Sequence, residues 1–133
     1  MLHLNRNWEV HEFCSLPAGA HNAQPWNGGA LFNDTASDHV RYVPRDGRQQ
    51  AYKIVTYDET DIEFAGIDDS KVARQGFGRG LCVVDDRFIA AGSSPSTISL
   101  YDTHASQKVG SVNLSMDIRN AIHGLEVWPY DSC

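Results

Sequence analysis

Apolar positions along this chain come in short runs, mostly alternating with polar ones, and small polar residues separate the runs. Alternation with a period of two is the signal of a strand that buries one face. It predicts a first hairpin, Leu2 to Asn5 and Trp8 to Cys14, joined at Arg6-Asn7 and ended by Leu16-Pro17. Further strands are predicted at Ala23 to Trp26, Ala30 to Asn33, His39 to Pro44 and Ala51 to Tyr57. Four more follow at Leu81 to Val84, Phe88 to Ala91, Thr97 to Tyr101 and Lys108 to Leu114, with Leu125 to Trp128 a lone last strand. Asn27-Gly28 supplies the positive-φ pair that a type I′ hairpin turn requires. Met116 to Ala121 is the one stretch with the look of a short helical turn. No segment carries an apolar stripe at helical spacing over three turns.

The strands recur. The segment from His21, HNAQPWNGGALFNDTASDHVRYVPRDG, lies without a gap over the segment from Arg79, RGLCVVDDRFIAAGSSPSTISLYDTHA, at an offset of 58 residues. In both, a short apolar strand meets a tight polar turn, and two more strands follow. A third start, HGLEVWPY, begins at His123. The chain therefore reads as a single all-β domain over 1–133, with repeat copies at about 21–78 and 79–122. Self-similarity of hairpin-linked strands at about this period marks stacked or radial β-repeats.

The second copy carries the more specific pattern. Ile98-Ser99-Leu100-Tyr101-Asp102, a polar turn, and then Gln107-Lys108-Val109-Gly110-Ser111-Val112 resemble the third and fourth strands of a WD40-like or quinoprotein-like β-propeller blade. There an aromatic-Asp pair ends the third strand and a basic residue opens the fourth. Arg79-Gly80-Leu81 and His123-Gly124-Leu125 resemble starts of a blade's innermost strand. The Gly-His of true WD40 repeats is missing. The resemblance implies antiparallel four-stranded blades, too few to close a ring, and hence completion by other copies in a homo-oligomer. A β-sandwich or open barrel of roughly ten strands is the alternative.

Composition narrows the partners. The formal net charge is −6 with no basic run, which argues against nucleic acid. No apolar stretch approaches the roughly 20 residues of a membrane helix. The opening MLHLNRNWEV lacks a basic segment followed by an apolar one, so a cytoplasmic protein is expected. Cys14, Cys82 and Cys133 then read as reduced thiols, with Cys82 a small buried hydrophobe. Trp8, Trp26 and Trp128 are expected in the core.

Candidate chemistry follows from the repeat. His21, Arg79 and His123 hold equivalent positions before innermost strands, and in a propeller such positions crowd one mouth of the central channel. With Asn22 they are the expected site for a small-molecule ligand, Arg79 clamping a carboxylate or phosphate. Two imidazoles with Asp34 or Glu126 are a candidate metal set. The alternative role for His21, Arg79 and His123 is bonding carbonyls between repeats. Asp34 with His39 is a candidate acid/base pair, and turn capping by Asp34 and Asp38 is its alternative. Gly76-Phe77-Gly78-Arg79-Gly80 has the wrong spacing for a phosphate loop. The acidic tract Asp58, Glu59, Asp61, Glu63, Asp68 and Asp69 lacks the ligand order of a calcium loop. No cofactor motif is present. Three functions remain: a self-associating binding or assembly module, a metal-assisted hydrolase or lactonase of propeller type, and a truncated remnant.

Overall fold

The computed structural model describes residues 1–67 and 74–130. Asp68 and Asp69 of the acidic tract, and Cys133, lie outside the described residues. The chain is all-β, with antiparallel sheets of two, four and four strands. β1 (Leu2–Leu4) and β2 (Val10–Glu12) form the hairpin. β3 (Ala20–Trp26), β4 (Gly29–Asp34), β5 (His39–Val43) and β6 (Gln50–Lys53) form the first four-stranded sheet, in chain order. β7 (Gly80–Val83), β8 (Phe88–Ser93), β9 (Thr97–Asp102) and β10 (Gln107–Asn113) form the second, with the same connectivity. The 58-residue offset carries each strand of the first sheet onto its counterpart in the second. Among the described residues, helix is limited to two 3-10 turns, Thr35–Ser37 and Glu59–Asp61.

Local chemistry accounts for the turns. Asn27 and Gly28 have φ of 44° and 71° between the paired residues Trp26 and Gly29, as a type I′ loop demands. In the second sheet, Asp85 replaces that device. Its carboxylate accepts the amides of Arg87 and Phe88 at 2.8 and 2.7 Å. Asp102, which ends β9 beside Tyr101, accepts the amides of His104 and Ala105 and the Arg87 guanidinium. The Arg87 hydrogen bonds, then the turn amides, hold its carboxyl down at about 2, below its ordinary 3.8. A carboxyl lowered in the fold stabilises it above the ordinary value, and that contribution is lost as pH falls through the lowered one. The urea midpoint of the wild type should therefore fall more steeply between about pH 4 and 2 than that of Asp102→Asn. Parallel curves would count against the Arg87–Asp102 lock.

The two four-stranded sheets pack face to face. Leu31, Val40 and Tyr52 of the first, with Ile54 just after β6, meet Leu81, Ile89, Ala91 and Tyr101 of the second, with Trp26 at one end. The Tyr52 and Tyr101 rings lie 5.3 Å apart, and Trp26 meets Tyr42 edge-on at 4.9 Å. Hydrogen bonds cross the same interface: Tyr101 Oη donates to the Lys53 carbonyl at 3.3 Å, and Asn27 Nδ2 to that of Asp86 at 3.1 Å.

Several expectations are corrected. β6 stops at Lys53, not Tyr57, because its partner β5 begins at His39, opposite Lys53, and offers no ladder beyond. The Ile54 amide turns to the Asp38 carbonyl instead. The strand expected over Trp8 to Cys14 shrinks to Val10–Glu12, with Trp8 in the turn at φ 64°. Both strands of that hairpin are exposed, since among the described residues the β1–β2 pair is joined to no further strand. Met116 to Ala121 forms a turn closed by the Asn120 amide on the Asp117 carbonyl, next to a bridge from Asp117 to Glu63. Leu125 to Trp128 is no strand: it has no ladder partner among the described residues. Of the three tryptophans only Trp26 is buried. Trp8 and Trp128 are 82% and 72% exposed, because both lie outside the stacked sheets.

Candidate functional site

The segment that enters the second sheet threads past the first under close constraint. A Cβ on Gly78 would lie 2.7 Å from Ile54 Cδ1, and one on Gly80 would lie 3.0 Å from the Ile122 carbonyl oxygen. Two buried side chains, one on β4 and one in the 3-10 turn that follows it, hold the carbonyls on either side of Arg79. Thr35 Oγ1 donates to Gly78 O at 2.9 Å, and Asn33 Nδ2 donates to Gly80 O at 3.1 Å. The Arg79 amide itself donates to Gly92 O at 3.0 Å. The Arg79 backbone is thus fixed by three hydrogen bonds.

His21 stands opposite Asn33 in the β3–β4 ladder. Directly paired residues share a face, so His21 points toward the second sheet, as Asn33 does. Its ring lies 6.2 Å from that of Phe77, and the Arg79 guanidinium stacks over Phe77 at 4.5 Å. His123 follows Ile122, whose side chain and carbonyl sit against Gly80 and Gly92. Desolvation, then the charges of Arg79 and His123, lower the pKa of His21 below its ordinary 6.5. The three residues that the repeat aligns, one per copy, are therefore brought together. Asn22 stands exposed at a β-bulge, at φ 54°, on the rim of this group.

The other candidates go elsewhere. Asp34 is one residue along from Asn33 and so faces away from His21. Its carboxylate accepts Arg41 Nε at 2.6 Å, and burial opposes the lowering that the Ser37 and Arg41 hydrogen bonds impose on its pKa. His39 Nδ1 lies 2.5 Å from the Ser37 carbonyl, so the turn takes up both members of the acid/base pair. Asp38 Oδ1 accepts Arg74 Nη1 at 2.5 Å. Glu126 is exposed, and its charge acts on Cys82, whose thiol is raised first by burial and then by that carboxylate. Cys82 is buried, as its apolar strand predicts. Among the described residues, no three His, Cys, Asp or Glu side chains converge as a metal set would.

Phe77, Asn33 and Thr35 shape this site without standing out in the sequence. Only Phe77 left a signal there: its two-residue spacing from Arg79 suits one side of an extended segment. A groove at the far edge, lined by Tyr52, Ile54, Tyr101, Ser106 and Lys108, contains none of the aligned residues. No protein-family model matches the chain, and neither a curated protein nor a solved structure matches it.

Proposed function

We propose that this chain is a self-associating β-repeat module, whose two four-stranded sheets act as blades and stack against those of further copies. The observation that carries this reading is the apolar surface left on the outer side of the second sheet. Val109 and Val112 of β10, and Leu114 just beyond it, are more than half exposed. β10 is an edge strand, and an open apolar edge is a template for pairing with another chain. Val112 faces Ile98 across the ladder, on the side of β9 opposite Tyr101 and the inter-sheet core. Trp128 and Tyr130 stack edge-on at 5.1 Å, 72% and 69% exposed. Exposed aromatic pairs of this kind are the residue types that dominate interface energies. The existing contact between the two sheets supplies the pattern for a further one: one repeat unit lies on the next through aromatic rings and side-chain bonds to carbonyls.

A second copy is the occupant to which this reading commits. A stable interface buries roughly 1,200 to 2,000 Å² in total. Light scattering after size-exclusion chromatography should give a multiple of the 14.7 kDa chain mass. Trp128→Ala should shift the distribution to smaller species, and removal of residues 1–15, with the exposed hairpin, should shrink or aggregate the assembly. A sharp peak at the mass of one chain, unchanged over a wide range of protein concentration, would overturn the proposal.

A further inference from the structure

The environment of Arg79 differs from that of four other arginines of the chain. Arg41, Arg74, Arg87 and Arg119 each direct a guanidinium onto an aspartate. Arg79 makes no ion pair and no side-chain hydrogen bond among the described residues. Its Nε is sealed from solvent without a partner. Phe77 lies against the guanidinium face, which holds the plane in place and leaves the terminal nitrogens as the donor edge. Fixing the backbone through Asn33 and Thr35 orients that edge further. A buried donor that lacks a partner is costly. His21 lies close enough to both Arg79 and His123 for their charges to act on it, so two ring N–H donors neighbour that edge.

We propose that the terminal edge of Arg79, flanked by His21 and His123, is a binding site for an oxyanion, the carboxylate or phosphate group of a small molecule. The sign of the local charge selects this class. Arg79 and His123 both oppose protonation of His21, so the cluster repels a cation and gains from an anion. No carboxylate among the described residues neutralises it, although the chain as a whole is acidic. The planar fork of a guanidinium matches two oxygens of either group. A neutral His21 contributes a ring N–H, and the exposed His123 offers another. The proposal goes beyond self-association and does not depend on it.

The test is an NMR titration of the 133-residue chain near neutral pH, at constant ionic strength, with inorganic phosphate in one arm and malonate in the other. The Arg79 Nε–H signal and the ring signals of His21 and His123 should move together and saturate in at least one arm, while chloride leaves them in place. The arm that saturates identifies the preferred group. Arg79→Gln should weaken binding about tenfold or more, and Arg79→Lys, which keeps the charge but loses the fork, by less. His123→Gln alters an exposed side chain and preserves the fold, so its several-fold weakening is the readout if Arg79→Gln fails to fold. Shifts that never saturate in either arm would overturn the proposal, as would unchanged affinity in folded Arg79→Gln or in His123→Gln. These signals report on the same residues in a single chain or an assembly, so this failure is distinct from a failure to associate.

Discussion

Tyr101→Ala is expected to destabilise the fold by about 3–5 kcal/mol, the usual range for removing a large aromatic side chain from a packed core. Tyr101 is 1% exposed and stands between the two four-stranded sheets, its ring against Tyr52 and its hydroxyl on the Lys53 carbonyl. Removing it opens a cavity that strand backbones on both sides are too rigid to close. It also separates the aromatic contact through which one sheet holds the other. Against a total stability of about 5–15 kcal/mol for a domain of this kind, that loss removes a large share of the margin that keeps the chain folded. Tyr101→Phe keeps the ring and loses only one long hydrogen bond, at about 1 kcal/mol. Urea unfolding, read as a midpoint shift at constant slope, separates the two. Equal and small effects of both substitutions would mean that the sheets do not meet through this ring.

Gly29→Ala is expected to be damaging out of proportion to its size, at the upper end of the about 1–3 kcal/mol typical of overpacking. A Cβ there would lie 2.5 Å from the Val43 carbonyl oxygen, 2.6 Å from Tyr42 Cε2 and 2.9 Å from Pro44 Cα. Two of those three atoms belong to the backbone of β5 and the residue after it, so relief requires the strands to part. Tyr42 would be pushed from its bond to the Asn27 carbonyl and from the face of Trp26. Gly28→Ala is the control. Its Cβ would meet nothing within 4 Å, and its cost comes only from φ of 71°, about 1–2 kcal/mol. Neighbouring glycines are thus required for different reasons, one for conformation and one for space. Urea midpoints should fall further for Gly29→Ala than for Gly28→Ala, and the reverse order would place β5 away from Gly29.

The repeat, the turns and most strand positions were legible in the sequence because they rest on local chemistry. Asn-Gly sets its own dihedral angles, Asp85 captures its own amides, and both act over a few residues. The gapless alignment of His21 with Arg79 survived folding because equivalent strands occupy equivalent places in equivalent sheets. Strand ends were less legible. β6 ends where its partner ends, and the partner is fixed by pairing rather than by the residues of β6.

Only the tertiary structure decided which faces meet. Every residue of β4 is buried, so the alternation that would distinguish its two sides is absent, and nothing local says that Asn33 turns toward Arg79 while Asp34 turns to Arg41. The apolar runs at Trp8 and Trp128 predict burial equally well, yet both side chains stand in solvent because no second layer reaches them. The charge state of the cluster belongs to this level too. A histidine or an arginine in the sequence carries no record of its neighbours, and the repulsion among His21, Arg79 and His123 exists only once two sheets and the segment after them share one corner. Alternation and turn residues determine that strands form. Contact between their faces, which depends on long-range packing and exclusion of water, determines which side chains are left to bind.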